Sequence, residues 1–459
     1  MYKDMKNRKR FTRYAAIWVV LVPSMLLAQT SKSLPDHVVE QFGNAPLTPD
    51  GPLSPAMQFA ARVAFIDSTV FSRWDANQQQ ALAAIGQSGD PRFAWIIGDM
   101  LRFVAAQEPT AALTQAASKL LNKEFEVDNA WHEVTSHLLA WDIPAPPDYL
   151  EYKRVIFTLN IPGWEELFVD GEIDWRLVSW GGVLIDKRAY DQTDNGCNCI
   201  PAIDNPVVSV VEDASWLKDD DIVFGIEVNG EYRAYPRRIM EVREMVNDTL
   251  GGRDLGIPYC TLCGAAQAFF TDNLPAGVDR PILRTSGLLS RSNKVMYDLN
   301  TYSIFDTFQG RAVTGPLSQK NLVFQSASVV TTDWASWKRA HPETTVLLER
   351  YALGRNPDFR AGRDANGPIF PVGDTDPRLP VHEDIVGAIT PEGKAIAFPR
   401  GMAYLALKRG DSVKFNAIEL KLEAGGIKAV GESGVDVGSH QAFWFAWSQF
   451  YPETELWNP

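Results

Sequence analysis

The sequence has little of several features that usually identify an enzyme or a membrane protein. It contains four cysteines and six histidines among 459 residues, and it has no recognisable Ser-His-Asp arrangement, phosphate-binding glycine loop or His-Glu-x-x-His motif. Hydrolase and nucleotide-dependent functions are therefore weakly supported. After residue 28 no apolar run approaches the roughly 20 residues that a transmembrane helix needs, so we expect no membrane span there.

Positive charge is concentrated at the N-terminus. The segment from Lys3 to Arg13 carries six basic residues and one acidic residue, and an apolar run from Tyr14 to Ala28 follows it. This order is typical of a secretory signal peptide over residues 1–28, and it predicts an exported protein, periplasmic or extracellular. Because Leu26 stands where a small residue is usual before a cleavage point, an uncleaved N-terminal membrane anchor is the alternative.

The rest of the chain is acidic. Removal of residues 1–28 takes away six basic and one acidic side chain and leaves 38 basic and 56 acidic ones, a net charge of −18 compared with −13 for the whole sequence. Such a surface repels phosphate backbones and anionic membranes. We therefore predict no nucleic-acid partner, and we expect no membrane span beyond a possible N-terminal anchor. A protein of the cell envelope remains as a partner.

The four cysteines fall into two local pairs, Cys197 with Cys199 and Cys260 with Cys263. Four cysteines allow three disulfide connectivities. A bridge between Cys197 and Cys199 would be strained, so structural disulfides are expected to pair across the two clusters. The alternatives are a four-thiolate metal site, usually occupied by zinc, and a redox-active Cys260/Cys263 pair.

The first third of the chain has helical periodicity. Asp90 can cap a helix that has Pro91 in its first turn and an apolar stripe after it. Further helices are predicted at Ala76–Ile85, Thr110–Leu121 and Asn129–Leu139. Stacked helical pairs of the HEAT type fit this pattern, and a plain helical bundle fits it equally.

From about Ile222 the apolar period changes to two. Asn229-Gly230 lies between two predicted strands, Ile222–Val228 and Glu231–Tyr235, and supplies the positive φ angles of a two-residue hairpin. The Cys260 to Cys263 segment also lies between predicted strands. That position favours a structural metal site, since redox-active Cys-x-x-Cys pairs usually lie at a helix N-terminus.

Two motifs recur in the same order, which indicates an internal duplication. Gly230-Glu-Tyr-Arg-Ala-Tyr-Pro-Arg returns as Gly393-Lys-Ala-Ile-Ala-Phe-Pro-Arg, and Trp334-x-x-Trp337 returns as Trp444-x-x-Trp447. We therefore predict an α+β protein with an N-terminal all-α domain, HEAT-like or a bundle, followed by a β-rich, internally duplicated domain. The predicted segments are a signal peptide (1–28), a helical repeat-like domain (29–150), a connecting segment with Cys197 and Cys199 (151–220), a β-rich core with the Cys-x-x-Cys-Gly motif (221–350) and a degenerate second copy (351–459).

Several further motifs follow one another between about Trp180 and Leu348. They are Asn229-Gly230-Glu231, Ala234-Tyr235-Pro236, Glu244-Met245-Val246-Asn247-Asp248, Gly251-Gly252, Tyr259-Cys260-Thr261-Leu262-Cys263-Gly264, Ser286-Gly287-Leu288-Leu289 and Ser292-Asn293 with Val295-Met296-Tyr297-Asp298. In this order they resemble the bacterial and archaeal family called domain of unknown function 3179. The resemblance implies an exported protein whose biochemical activity is not assigned.

Three residues depart from the pattern expected of that family. Arg243 stands where a histidine is expected, and Phe305 and Thr307 stand where tryptophan and glutamine are common. Arginine neither binds a metal nor gives up its proton. A metal-ligand or general-base role at Arg243 is therefore not expected.

Polar residues close to the thiols in sequence are the remaining site candidates. They are Glu244, Asn247, Asp248, Ser286, Arg291, Asn293 and Asp298. Met296 together with Cys260 and Cys263 would suit copper(I), although a buried gap-filling methionine is the alternative. Ordinary strand-end capping is the alternative for the serine, asparagine and aspartate side chains.

Two functions from different classes follow. In the first, the Cys260/Cys263 segment is a metal-binding or thiol-redox site. In the second, the protein is a non-catalytic envelope binding or scaffold module with structural disulfides.

Overall fold

The computed structural model describes residues 29–30, 33–66, 74–192, 197–349 and 367–458. The predicted signal peptide lies outside these residues. None of the helices within these ranges has the length and the apolar character that a bilayer crossing requires.

Helices occupy most of the described chain before residue 161. They are α1 (Asp36–Phe42), α2 (Pro55–Ala61), α3 (Ala76–Gly86), α4 (Ala94–Leu101), α5 (Gln107–Leu121), α6 (Ala130–Ala140) and α7 (Tyr149–Asn160). The predicted helices are confirmed to within a few residues. Helix α3 begins at a capping box, because the Asp75 carboxylate accepts from the Gln78 backbone N–H at 2.9 Å while the Gln78 side chain accepts from the Asp75 N–H. Asp90 accepts from the Arg92 N–H in the turn that leads into α4.

Helix α4 lies at the centre of the helical region. Each of its residues is buried, and it packs against α5, α6 and α7. In a HEAT array each helical pair contacts only the adjacent pairs. The predicted HEAT-like stack is therefore wrong. Apolar spacing identified the helices, but it does not specify the order in which they pack.

The core of the helical region is not separate from the strands. Its buried cluster continues through Leu288, Val295 and Tyr297, which belong to strands more than a hundred residues later. The Trp164 indole N–H donates to the Ser286 carbonyl oxygen at 2.8 Å across the same boundary. The predicted separation into an all-α domain and a following β-rich domain is wrong for this reason.

Strands make up most of the rest. They are β1 (Gln29–Thr30), β2 (Thr48–Pro49), β3 (Val178–Trp180), β4 (Ile203–Asp204), β5 (Val208–Val210), β6 (Ile222–Val228), β7 (Glu231–Pro236), β8 (Met245–Leu250), β9 (Arg253–Cys260), β10 (Ala265–Ala266), β11 (Ala268–Phe270), β12 (Leu283–Ser290), β13 (Asn293–Asp298), β14 (Ile304–Asp306), β15 (Arg311–Ala312), β16 (Gln325–Ala327), β17 (Val330–Asp333), β18 (Thr345–Leu347), β19 (Asp384–Ile389), β20 (Ala395–Pro399), β21 (Val413–Phe415), β22 (Ile418–Glu423), β23 (Gly426–Gly431), β24 (His440–Phe443) and β25 (Glu455–Leu456). The later helices are α8 (Arg237–Arg243), α9 (Gly315–Ser318), α10 (Trp334–Ala340), α11 (Arg400–Lys408) and α12 (Trp444–Phe450).

The strands after β2 form five small sheets in a propeller-like arrangement rather than one β-rich unit and its copy. A six-stranded sheet, the thiol sheet, has the order β16-β11-β9-β8-β4 with β10 paired to β9. A second sheet has the order β15-β14-β13-β12-β3. The first repeat sheet is β17-β6-β7-β18-β5, the second repeat sheet is β24-β19-β20-β25, and a small sheet is β21-β22-β23.

The repeated motifs correspond to two sheets of the same connectivity. In each repeat sheet an antiparallel hairpin leads into a helix, α8 or α11, and a later strand leads into a tryptophan-bearing helix, α10 or α12. A final strand then pairs in parallel with the second hairpin strand. The Trp337 ring packs on Gly225 and the Trp447 ring packs on Gly387, and a Cβ atom on either glycine would lie 2.1 or 2.2 Å from the ring. The hairpin β6–β7 itself is confirmed, with positive φ at both Asn229 and Gly230.

Different segments are inserted into the two repeats, and each contacts the sheet of the other repeat. The insert of the first repeat is 245–327, and its Cys263 carbonyl oxygen accepts from the Phe443 N–H at 2.8 Å. The insert of the second repeat contains β21 to β23, and its Ala424 carbonyl oxygen accepts from Thr332 Oγ1 at 2.7 Å. The thiol segment is thereby enclosed between the two repeats.

Candidate thiol site

The two thiols of the Cys-x-x-Cys motif lie in a tight turn between antiparallel strands. Cys260 is the last residue of β9 and pairs with Ala265, the first residue of β10. Gly264 closes the turn with φ +61°, which a side chain rarely adopts, and a Cβ atom there would lie 3.1 Å from the Phe443 ring. The turn thus requires glycine both for its backbone and for its contact with the second repeat sheet.

Cys260 and Cys263 are both free thiols, and their sulfur atoms lie 3.0 Å apart. Cys260 is 2 % exposed and Cys263 is fully buried. The Ser292 carbonyl oxygen lies 3.8 Å from Cys260 Sγ and 3.6 Å from Cys263 Sγ. Asn293 Oδ1 lies 3.5 Å from Cys263 Sγ. The turn between β12 and β13 therefore forms one wall of the site.

A buried ion pair forms the other wall. Lys294 Nζ lies 3.2 Å from Glu244 Oε2 and donates to the Glu244 carbonyl oxygen at 2.5 Å. Thr261, inside the cysteine turn, donates from Oγ1 to Glu244 Oε1 at 3.0 Å. Glu244 follows α8 with a left-handed φ of 51°, and its carbonyl oxygen also accepts from the Tyr259 N–H. The carboxylate thus connects the ammonium group to the turn that carries the thiols.

The surroundings shift the pKa values of the two thiols in opposite directions. Burial acts to raise the pKa of Cys260, but the hydrogen bond from Cys263, the Lys294 backbone N–H and the Lys294 ammonium together bring that pKa below its usual value. Burial raises the pKa of Cys263 well above its usual value, and the hydrogen bond to Cys260 and the charge of Cys260 add to the effect. Of the two thiols, Cys260 is therefore the one that loses its proton more readily, and Cys263 is the one that retains it more strongly.

Lys294 is itself affected by the site. Burial lowers the pKa of its ammonium group, and the charges of Glu244 and Cys260 oppose the change. A buried lysine with a lowered pKa can both stabilise a thiolate and release a proton.

The separation of Cys260 and Cys263 differs from that of two thiolates bound to one zinc ion. Two thiolates on one tetrahedral zinc ion lie about 3.8 Å apart, as follows from Zn–S bonds of about 2.3 Å, whereas these sulfurs are 3.0 Å apart. Among the described residues, the group of metal-binding side chains close enough to share an ion is Asp186, Cys197 and Cys199, which does not include this pair. Met296 lies in an apolar cluster with Phe305, and the two cysteines belong to another cluster.

Cys197 and Cys199 form a disulfide with each other, and their Cα atoms are 5.0 Å apart. The predicted pairing across the two clusters and the predicted four-thiolate site are therefore wrong. The separation falls within the usual range for a disulfide because Asn198 adopts a left-handed φ of 48° and folds the segment back. Sequence spacing does not indicate that conformation.

Several predicted pocket residues have structural partners away from the thiols. Asn247 bonds to Asp204 and to the backbone of Leu283. Asp248 accepts from Arg233 and Tyr235.

Of the other candidates, some hold the backbone and some contact the cysteines. Asp298 accepts from the Ile282 N–H and from Thr301, Ser286 donates to the Val295 carbonyl oxygen, and Arg291 donates to the Val372 carbonyl oxygen. These side chains cap or cross-link the backbone. Glu244 and Asn293 are the two pocket candidates that the structure brings to the cysteines.

Sequence reasoning missed Lys294, Thr261 and Ser292. One signal was present for Lys294, because it precedes an apolar run in a strand whose six residues are all buried. A lysine in such a strand must have a buried partner.

The three departures from the family pattern have structural roles. Arg243 pairs with Glu349 at 3.0 Å, and Phe305 stacks on Phe324. Thr307 donates to the Lys294 carbonyl oxygen at 2.7 Å and thereby supports the strand that carries the lysine.

Comparison with known proteins gives a family but no activity. No curated protein and no solved structure was found to match the chain. The family described as "Protein of unknown function (DUF3179)" matches residues 197–406, a range that contains both cysteine pairs, Glu244 and Lys294. The resemblance predicted from the motifs is therefore confirmed: over residues 197–406 this chain is similar to the DUF3179 family.

Proposed function

We propose that Cys260 and Cys263 form a redox centre that cycles between a dithiol and a disulfide. The observation that carries this proposal is the pair of sulfur atoms 3.0 Å apart with pKa shifts of opposite sign. A thiolate is the nucleophile in thiol–disulfide exchange, and a protonated neighbour can act afterwards as the resolving thiol. The Glu244–Lys294 pair supports this division of roles.

The reaction can be written with a disulfide substrate. The Cys260 thiolate attacks one substrate sulfur, the substrate S–S bond breaks, and a mixed disulfide forms while one thiolate leaves. Cys263 then loses its proton and attacks Cys260 Sγ, which releases the second substrate thiolate. One substrate disulfide and two protein thiols thus give one protein disulfide and two substrate thiols.

We further propose that the protein works outside the cytoplasm. The N-terminal sequence supports export, and the Cys197–Cys199 disulfide is of a kind that persists in oxidising compartments. In such a compartment the Cys260/Cys263 pair requires an external thiol donor to return to the dithiol form.

A second candidate is a non-catalytic envelope module. The Cys197–Cys199 disulfide favours it, since that bridge lies beside Asp186 in a buried charge network and braces the segment leading into β4. In this case Cys260 and Cys263 would contribute only to packing, and an envelope protein would be the partner.

The two candidates differ in thiol chemistry. We would replace Cys197 and Cys199 with serine, so that only the site pair titrates, and equilibrate the protein with mixtures of reduced and oxidised dithiothreitol. A redox function predicts a reversible two-electron transition with loss of two thiols. In this background, Cys263→Ser should leave one thiol that reacts rapidly with iodoacetamide at pH 7, and Cys260→Ser should leave a slow one. Failure of the pair to oxidise in folded protein would support the second candidate.

A further inference from the structure

Two residues that contact the thiols each carry a side-chain polar atom with no hydrogen-bond partner. The atoms are Ser292 Oγ and Asn293 Nδ2, and both residues are at most 2 % exposed. Ser292 is the residue whose carbonyl oxygen contacts both sulfurs, and Asn293 carries Nδ2 on the amide whose Oδ1 lies 3.5 Å from Cys263 Sγ. Buried donors without partners are uncommon and destabilise the fold unless something binds them. Two of them at one reactive pair indicate an oxygen-bearing ligand.

The burial of the thiols restricts the size of that ligand. A disulfide in a folded protein must bring its two sulfurs into line with the attacking thiolate. Cys260 is 2 % exposed, and the turn that carries it is held by a backbone hydrogen bond from Phe443 on the second repeat sheet. A molecule of a few atoms can reach such a buried sulfur, whereas a disulfide on the surface of a folded protein cannot.

Resting on the proposed redox function, we propose that the oxidising substrate is a small hydroperoxide, with Ser292 and Asn293 donating hydrogen bonds to its oxygen atoms. The Cys260 thiolate attacks the terminal peroxide oxygen, the O–O bond breaks, and Cys260 becomes a sulfenic acid. The departing alkoxide, or hydroxide from hydrogen peroxide, takes a proton from the Lys294 ammonium group.

The second step closes the disulfide. Cys263 Sγ attacks Cys260 Sγ, the S–O bond breaks, and the hydroxide that leaves takes the proton of Cys263 to form water. One hydroperoxide and two thiols give one disulfide, one alcohol and one water. An external thiol donor then reduces the disulfide. Lys294 regains its proton from solvent.

The test compares two oxidants on one protein. Reduced protein that carries Cys197→Ser and Cys199→Ser is mixed with hydrogen peroxide or with oxidised glutathione, and the loss of thiols is followed in time. We expect peroxide to react far faster than it does with free cysteine. Ser292→Ala and Asn293→Ala should each lower the peroxide rate by at least about tenfold, since loss of one preorganised donor costs that much or more, and should lower the glutathione rate by a smaller factor. Ser292→Thr keeps the hydroxyl group and should restore the peroxide rate.

A chemical trap gives an independent readout. In the Cys263→Ser background, dimedone should label Cys260 after a single equivalent of peroxide, because the sulfenic acid then has no resolving thiol. Fast oxidation by glutathione disulfide together with a peroxide rate no greater than that of free cysteine would overturn the hydroperoxide assignment and leave the redox centre intact. Failure of both oxidants would overturn the redox centre itself. Ser292→Ala removes an unpartnered hydroxyl group and should not lower the melting temperature. An unchanged melting temperature would show that a lower peroxide rate in this variant is not caused by unfolding.

Discussion

Apart from the hydrogen bond between the two thiols, Lys294 is the residue that lowers the pKa of Cys260. Its backbone N–H and its ammonium group both act on Cys260, and its ammonium group is held by Glu244. Replacement with methionine keeps the length of the side chain and removes the charge. We therefore expect Lys294→Met to raise the pKa of Cys260 and to slow its alkylation on the acid side of the transition.

The measurement is the rate of iodoacetamide labelling of Cys260 across pH 5 to 10 in the Cys263→Ser background. Because Lys294→Met leaves the Glu244 carboxylate buried without its partner, the double variant Glu244→Gln/Lys294→Met is needed to separate a pKa effect from unfolding. Lys338→Met removes a surface lysine that pairs with Asp219 and serves as the control. Because the Glu244 carboxylate raises the pKa of Cys260, the double variant is compared with Glu244→Gln alone. The same labelling midpoint in these two variants would contradict the role assigned to Lys294.

His440 predicts a dependence of stability on pH. Burial lowers the pKa of this residue to about 4, and its Nε2 has no hydrogen-bond partner. An unfolded histidine binds its proton near pH 6.5, so between about pH 6.5 and 4 the unfolded state binds more protons than the folded state. The unfolding free energy therefore falls as the pH falls through this window, by on the order of 3 kcal/mol in total.

The measurement is urea unfolding at pH 7.5 and at pH 5. His440→Leu removes the titrating group and should reduce the difference in unfolding free energy between the two pH values. A variant that loses as much stability as the native chain over this interval would show that other groups are responsible.

At the scale of single elements, the contact between glycine and tryptophan specifies each repeat sheet. Gly225 and Gly387 lie under the rings of Trp337 and Trp447, where a Cβ atom would lie 2.1 or 2.2 Å from ring carbons. We expect Gly225→Ala and Gly387→Ala each to lower the unfolding free energy by about 3 kcal/mol, because neither the strand nor the ring can move without breaking other contacts.

The matched control is Gly401→Ala in α11, where a Cβ atom would have no neighbour within 4 Å. Alanine there should raise the unfolding free energy by up to about 1 kcal/mol, since glycine is unfavourable inside a helix. Denaturant unfolding of the three variants measures these changes in unfolding free energy. Similar stability in all three would mean that the repeat sheets tolerate displacement of the tryptophans.

Local signals in the sequence predicted local structure well. Asn229-Gly230 predicted the hairpin β6–β7, and the spacing around Cys260 placed the thiols between strands, because in both cases the residues that decide the backbone are adjacent. Lys294 and Glu244 are fifty residues apart in the sequence. They meet because the fold brings β13 close to the residue that follows α8. The Cys197–Cys199 disulfide depends on the φ angle of Asn198, which the order of residues does not determine.

At the scale of the whole molecule, the helical region shares its core with the sheet β15-β14-β13-β12-β3. Leu288, Val295 and Tyr297 complete the cluster around α4. A fragment of residues 29–177 would leave this face exposed, and we expect it to show no cooperative unfolding in urea, whereas the chain from residue 29 to 459 should unfold in one transition. Circular dichroism in the near ultraviolet tests both. A cooperative transition in the fragment would show that the helical region is an independent domain.

The closing contact on the thiol turn comes from Phe443, which follows Cys263 by 180 residues in the chain. A ribosome completes the cysteine turn long before it completes the segment that covers the turn. During that interval both thiols are open to any electrophile in their surroundings, and the acidic one of the two is the more reactive. The time taken to finish and dock the last strands therefore sets how long a newly made chain must be kept from premature oxidation.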